Sequence, residues 1–331
     1  MSNECFLPKY EIHDVGSAQA LSQIYPQNVR DLNIPKIWSK SKGKGVKVMV
    51  LDTGCPSDHP DLMKNIDLSK CRSFIEGEDI FDSYVGHGVH CAGTIGAMDN
   101  TEGIVGIAPE VTIITGKVLD KNGRNQGDSI LRGLEYCLKV LPDVINLSLG
   151  GPNPMPEVHE VIKKLTNQGV VVVCAAGNNG EENILYPAKY EEVITVGSYS
   201  DTILKDRSKF SSWGKELDIM APGDKILSTY LNKGYAVLSG TSMATPVVSG
   251  VVALILSKYK AENKNLRVDE VKKMLYTTAI DVGNNGWDSH SGWGIINPES
   301  IFGEVVTIQG FPKKGKLKKI IHKILKFFKI K

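Results

Sequence analysis

Apolar and polar positions change period several times along this chain. Residues 46–51, 111–114, 144–147, 170–175 and 193–196 are short apolar runs rich in valine and isoleucine, the pattern of strands buried on both faces. Between them, residues 129–139 and 156–167 carry apolar side chains three and four positions apart, as amphipathic helices do. Strands alternating with helices predict an α/β fold, a doubly wound parallel sheet with helices on both faces. In such sheets the site gathers beyond the carboxyl ends of the strands. No internal repeat is visible, so one domain over 22–302 is expected, with a short N-terminal extension (1–21) and a tail (303–331).

Composition adds one asymmetry. The 331 residues carry a formal net charge of +2, but nine of the 39 basic residues are lysines at 313–331, where no acidic residue occurs. Without them 30 basic residues face 37 acidic ones, so the body is acidic and the tail basic. Within 316–331, Leu317, Ile320, Ile321, Ile324, Leu325 and Phe328 follow helical spacing, and Lys318, Lys319, Lys323, Lys326 and Lys329 fill much of the remainder. Such a helix suits an anionic membrane surface, with docking on the acidic body or on a partner as the alternative. Nucleic acid is not expected as a partner, since phosphate contact gives the apolar stripe no role. The opening residues show no secretory signal, and no stretch reads as long enough to span a bilayer. The six scattered cysteines then read as free thiols in a reducing cytoplasm.

Three motifs carry candidate chemistry. Asp52 ends an apolar strand in Leu51-Asp52-Thr53-Gly54, His87 sits in Gly86-His87-Gly88-Val89-His90-Cys91, and Ser242 sits in Gly240-Thr241-Ser242-Met243-Ala244-Thr245-Pro246 before the apolar run 247–256. A serine hydroxyl is a weak nucleophile and needs an imidazole to accept its proton; the imidazole needs a carboxylate to hold its tautomer. A helix starting at Ser242 offers backbone N–H groups to developing negative charge. Pro246, early in that helix, is expected to cost no intrahelical bond. Aspartic-protease chemistry would need a second Asp-Thr-Gly, which the sequence lacks. His87, His90 and Cys91 have a spacing suggestive of zinc, but the flanking glycines make that helix face a poor cage.

Together these motifs resemble the subtilisin family from about residue 23 to 302, in the order Asp, His, Ser. The resemblance implies a serine endopeptidase with Asp52, His87 and Ser242 as its triad. Ala175-Ala176-Gly177-Asn178 resembles the segment that carries the oxyanion asparagine, which makes Asn178 a donor to the tetrahedral oxyanion. Asp143 to Gly151 resembles the segment that pairs with the substrate backbone. It implies that Ser148, Leu149, Gly150 and Gly151 form one wall of the primary pocket and Ala175, Ala176 and Gly177 the other. Asn122, Gly123, Arg124 and Asn125 resemble the loop that pairs with substrate as an added strand, where Arg124 would favour acidic side chains upstream of the cut. Leu185 stands where many relatives have a small residue, which implies a shallower pocket. A degraded, non-catalytic scaffold would have lost a triad residue or Asn178, and none is missing; a dedicated processing enzyme would share the same machinery.

The resemblance also implies a Ca²⁺ site from Gln23, Asp61 and Asn100 with main-chain oxygens of Met98, Glu102 and Ile104, an all-oxygen set suited to a hard ion. Without a readable export signal or long prodomain, and with an acidic body, the chain is most similar to the intracellular branch, so a cytoplasmic enzyme is expected, at the inner membrane face if the tail binds lipid. Phe6-Leu7-Pro8-Lys9-Tyr10 resembles, apart from Lys9, the Leu-Ile-Pro-Tyr segment with which those enzymes block their own sites, implying a zymogen. Cys91 and Met243 stand where mercurials and oxidants would act. The sequence leaves the oligomeric state open, a homodimer included.

Overall fold

A computed structural model of the chain describes residues 4–16, 22–55, 58–81, 84–200 and 206–303. The expected tail helix over 316–331 lies outside them. The elements in chain order are β1 (Glu11–Gly16), α1 (Gln27–Asp31), α2 (Ile34–Ile37), β2 (Lys47–Asp52), β3 (Arg72–Ser73), α3 (His87–Gly96), β4 (Thr112–Lys117), α4 (Ser129–Val140), β5 (Val144–Leu147) and α5 (Pro156–Asn167). They continue with β6 (Val171–Ala175), β7 (Ile194–Tyr199), β8 (Ile219–Pro222), β9 (Ile226–Thr229), β10 (Tyr235–Ser239), α6 (Thr241–Ala261), α7 (Val268–Thr278) and α8 (Pro298–Ile301).

Seven strands form a parallel sheet in the order β3-β4-β2-β5-β6-β7-β8. Burial of β5 and β6 throughout, and of β2 from Val48 on, explains their near-continuous apolar sequences. The chain runs from β2 out to the edge strand β3, returns to β4 beside β2, then crosses to β5 on the other side of β2, so strand order reverses beside β2 and opens a crevice at its carboxyl end. Helices α3 and α6 pack together on the sheet, and α4 and α5 form a second packed pair. The single large core joins Val48, Ile114, Ile145, Val172 and Ile194 from the strands to Val89, Leu134, Ile162 and Val251 from the helices.

Two expectations change. Helix α6, with 21 residues, is long and apolar enough to cross a bilayer, contrary to the sequence reading; it lies buried inside the fold, and its apolar surface is spent on the core. A second, three-stranded sheet of order β1-β10-β9 was not expected. Its outer strand is the N-terminal extension itself, antiparallel to β10.

Candidate active site

Asp52 is the last residue of β2 and is 1% exposed. Its carboxylate accepts from the Thr53 backbone N–H at 2.7 Å, while Thr53 Oγ1 accepts from Gly88 N at 3.0 Å. These bonds lock the strand end to the start of α3. Lys117, fully buried opposite Asp52 in the β2–β4 register, donates to Thr53 O at 2.8 Å and pairs with Glu78 at 3.1 Å. It supports the turn behind the carboxylate, and no sequence motif had singled it out. A Cβ on Gly88 would lie 2.4 Å from Gly54 O and 3.2 Å from the Asp52 Cβ, so α3 approaches β2 this closely only with glycine there.

His87 is the first residue of α3, and its Nδ1 lies 2.9 and 3.0 Å from the two Asp52 oxygens. An ionised carboxylate only accepts, so Nδ1 carries a proton and Nε2 is the nitrogen left for chemistry. Burial opposes the imidazolium, while the Asp52 carboxylate favours it by charge and by hydrogen bond and raises the His87 pKa, so that an imidazolium formed during reaction is held against the cost of burial. His90, by contrast, points Nε2 at Ile226 O (3.0 Å), and burial drives its pKa down to about 3. Its ring turns away from the site, so His87 and His90 do not share a ligand cage. All six cysteines are free and buried.

Ser242 is the second residue of α6. Pro246 sits at the sixth position, not in the first turn, so its missing N–H does remove a helical bond, the one to Ser242 O. That carbonyl accepts instead from Ser148 Oγ at 2.9 Å and Cys91 Sγ at 3.5 Å. The correction matters because it fastens the serine backbone to the end of β5 and to α3. The Ser242 hydroxyl donates to Ser148 O at 3.0 Å. Among the described residues, His87 Nε2 has no hydrogen-bond partner.

Asn178 follows β6 and is nearly buried. Its Oδ1 accepts from Thr241 N (2.8 Å) and Thr241 Oγ1 (2.7 Å), which turns Nδ2 outward to donate to Lys9 O at 2.7 Å. Residues 4–10 therefore lie in the cleft. Phe6 exchanges two backbone bonds with Gly150 (2.9 and 3.1 Å), Leu7 N donates to Gly123 O, and Cys5 O accepts from Asn125 N. Phe6 also bridges Arg124, which is exposed, as is Asn122 at the loop tip. The Tyr10 ring packs 5.0 Å from the His87 ring, centroid to centroid. Cys5, 1% exposed, sits against Gly151 with Sγ 3.5 Å from Met155 Sδ, and Met155 is held at both N and O by the Tyr190 hydroxyl.

Leu185 lies between the segments of Gly150 and Gly177. Leu149, Ala175 and Ala176 are buried, Gly177 N donates to Thr241 Oγ1, and Leu185 N donates to Ala176 O. A Cβ on Gly150 or Gly177 would meet the Leu185 side chain at 2.8 or 3.0 Å. A buried carboxylate–imidazole pair, a serine at a helix start and a preset amide donor form the parts list of acyl transfer.

Residues 43–294 match the model of the subtilase family. The chain belongs to the subtilase family. The major intracellular serine protease of Bacillus subtilis (strain 168) is 46% identical over 254 residues, 74% of this chain and 79% of that relative. An intracellular serine protease of Paenibacillus polymyxa is 40% identical over 295 residues, 86% of this chain and 88% of that one. Subtilisin DY of Bacillus licheniformis is also 40% identical, over 284 residues, covering 84% and 99%. This subtilase is a serine endopeptidase that acts on proteins or peptides.

The six residues of the expected calcium site largely converge in the subtilase. Asp61 is fully buried, and its carboxylate accepts from Asn100 Nδ2 (3.1 Å), Ile104 N (2.8 Å) and Tyr235 OH (2.7 Å), all neutral donors. The Gln23 amide meets Met98 O at 2.7 Å, Asn100 Oδ1 at 3.2 Å and Ile104 O at 3.4 Å. Glu102 joins through its N–H, on Asn100 Oδ1 at 2.9 Å. One buried carboxylate and several oxygens gathered around a single amide head fit a hard cation.

Proposed function

We propose that this subtilase is a latent endopeptidase: Asp52, His87 and Ser242 are its triad, Asn178 its oxyanion donor, and residues 4–16 an inhibitory segment bound along the substrate path. The observation that carries the reading is the Asn178 Nδ2 bond to Lys9 O. In action, Asp52 orients His87, His87 Nε2 takes the Ser242 proton and later returns it to the leaving amine, and Ser242 Oγ attacks the carbonyl. Asn178 Nδ2 and the Ser242 backbone N–H then receive the oxyanion.

Latency follows from register. Antiparallel pairing of Phe6 with Gly150 places Pro8 opposite Ser148. An ordinary residue there would donate its N–H to Ser148 O, but proline has none. Ser242 Oγ takes that carbonyl instead and so leaves His87. The carbonyl held by Asn178 belongs to Lys9, one residue further on than the residue paired with Ser148. The backbone alignment and the reactive carbonyl are thus out of step, and the segment binds without being cut. Removing residues 1–20 should raise kcat/KM at least about tenfold, given several main-chain bonds of ~1 kcal/mol each; unchanged kinetics on peptide substrates reject latency.

Leu185 makes the primary pocket shallow. Leu185→Gly should raise kcat/KM for large aromatic side chains at the cut about tenfold or more relative to small ones, as a few methylenes of pocket depth allow. An unchanged preference in a peptide-library digest would exclude Leu185 as the pocket floor.

Gln23, Asp61, Met98, Asn100, Glu102 and Ile104 would hold Ca²⁺, which on binding neutralises the Asp61 carboxylate and ties two loops together. Chelation should lower the melting temperature by ~5–10 °C, restored by added Ca²⁺ and not by Mg²⁺; equal melting with and without chelator sinks the site. The intracellular relatives support a cytoplasmic location. The composition of 316–331 supports contact with an anionic membrane, and liposome flotation with and without residues 313–331 tests it.

A further inference from the structure

The segment does not end at the cleft. After Lys9 the chain continues as β1 along the edge of β10, in register Glu11↔Ser239, Ile12↔Leu238, Asp14↔Val237, Val15↔Ala236 and Gly16↔Tyr235. Strand β10 runs straight into Gly240-Thr241-Ser242, so this edge is the downstream continuation of the site. All six β1 residues are exposed, Ile12 and Val15 at 52% and 55%, while Tyr235, Ala236, Leu238 and Ser239 beneath are buried. A strand that buries almost no side chain is held by its main chain, and main-chain pairing is indifferent to most sequences.

One side chain is the exception. The strand bulges between Ile12 and Asp14, and the extra residue, His13, reaches back to place Nε2 2.6 Å from Ser239 Oγ. Ser239 Oγ donates to Asp224 Oδ1 at 2.7 Å and accepts from Lys225 N at 2.8 Å. Its one proton is committed to a carboxylate that can only accept, so Ser239 can only accept from His13. Nε2 therefore carries the proton. Asp224 behind the hydroxyl favours a donor that is also cationic. His13 is the fourth residue beyond the carbonyl held by Asn178.

We propose that the edge of β10 covered here by β1 is a docking strand for the downstream half of substrates: an extended polypeptide of about seven residues past the cut, with a hydrogen-bond donor, best a cationic one, at the fourth. This rests on the reading that residues 4–16 occupy the substrate path. It makes the enzyme's preferred substrate an unfolded stretch within a long chain. Short peptides and cuts close to a carboxyl terminus are disfavoured, because they leave the edge of β10 unpaired.

The test uses the full chain with Ser242→Ala and proline at positions 11, 12, 14 and 15, which removes four of the six N–H groups of β1 without touching a buried side chain. The probe is the labelled peptide Tyr-Glu-Ile-His-Asp-Val-Gly, read by fluorescence anisotropy and by amide exchange over 236–238. Binding with protection of those amides, weakened about tenfold or more on truncation to three residues, supports the docking strand. Replacing the peptide histidine by norleucine should weaken binding several-fold, and Asp224→Asn should shrink that difference. Equal affinity of the three- and seven-residue peptides, or no protection over 236–238, overturns it.

Independently of the proline variant's folding, His13→Leu in the otherwise unaltered chain should accelerate exchange over 236–238 several-fold; unchanged exchange rejects the donor subsite. The latency reading fails separately: with Ser242 restored, the proline variant should gain activity on a substrate ending two residues past the cut. No gain there counts against latency, while peptide binding alone decides the docking strand.

Discussion

Ser242→Ala in the chain freed of residues 1–20 should abolish hydrolysis, lowering kcat by about 10⁶, the loss known for the nucleophile of subtilisin itself, a member of this family, and taken over from it as a magnitude. The argument for this chain is local. Ser242 Oγ donates to Ser148 O, and His87 Nε2 is buried with no hydrogen-bond partner among the described residues, so it is available to a hydroxyl that turns toward it. Alanine fits without strain, since the fold-bearing contacts of Ser242 run through its carbonyl, to Ser148 Oγ and Cys91 Sγ. The variant should therefore melt within a degree or so of the parent and still bind peptide. Label from a fluorophosphonate should vanish with activity. Residual cleavage sensitive to that reagent would mean that another serine is the nucleophile.

Asn178→Ala should cost about 10²–10³ in kcat with KM nearly unchanged, again the magnitude measured in subtilisin for its oxyanion asparagine. A donor that strengthens its bond only as the oxygen becomes negative acts on the transition state, and its loss appears in kcat. The structure adds a consequence specific to this chain. Asn178 Nδ2 also holds Lys9 O, so on the proposed latency the same substitution loosens residues 4–10. In the full chain the fall in activity should be smaller than in the chain freed of residues 1–20, because part of the loss is offset by release. Assaying both forms separates the two roles; equal losses would mean that the Lys9 contact contributes nothing to latency.

Much of this arrangement was legible because its parts are continuous in sequence. Strands 46–51 and 144–147 reappear as Lys47–Asp52 and Val144–Leu147, since runs buried on both faces have few alternatives. Asp52, His87, Asn178 and Ser242 each stand in a short motif at a strand or helix end. What escaped depends on contacts between distant segments. Glu11–Gly16 has no buried face, so no periodicity marks it; it is a strand because β10 offers an edge. The role of Pro246 was misread by counting it within the first turn: whether α6 starts at Ser242 or at Thr241, residue 246 lies beyond the free N–H groups, and a proline there frees the Ser242 carbonyl. Lys117 is a lone lysine in a β-run, and only its register opposite Asp52 gives it meaning.

That freed carbonyl has a consequence for the life of the protein before it is folded. The serine does not take its place from its own helix alone: it is moored to Ser148 beyond β5 and to Cys91 on α3, which also carries the imidazole, while the carboxylate comes from the end of β2. A nascent chain emerging from the ribosome has the nucleophile's helix last, after every other member of the site. Until the whole sheet has closed, there is a hydroxyl but no blade. By the time those parts come together, residues 4–10, which precede all of them in the chain, are already there to lie across them.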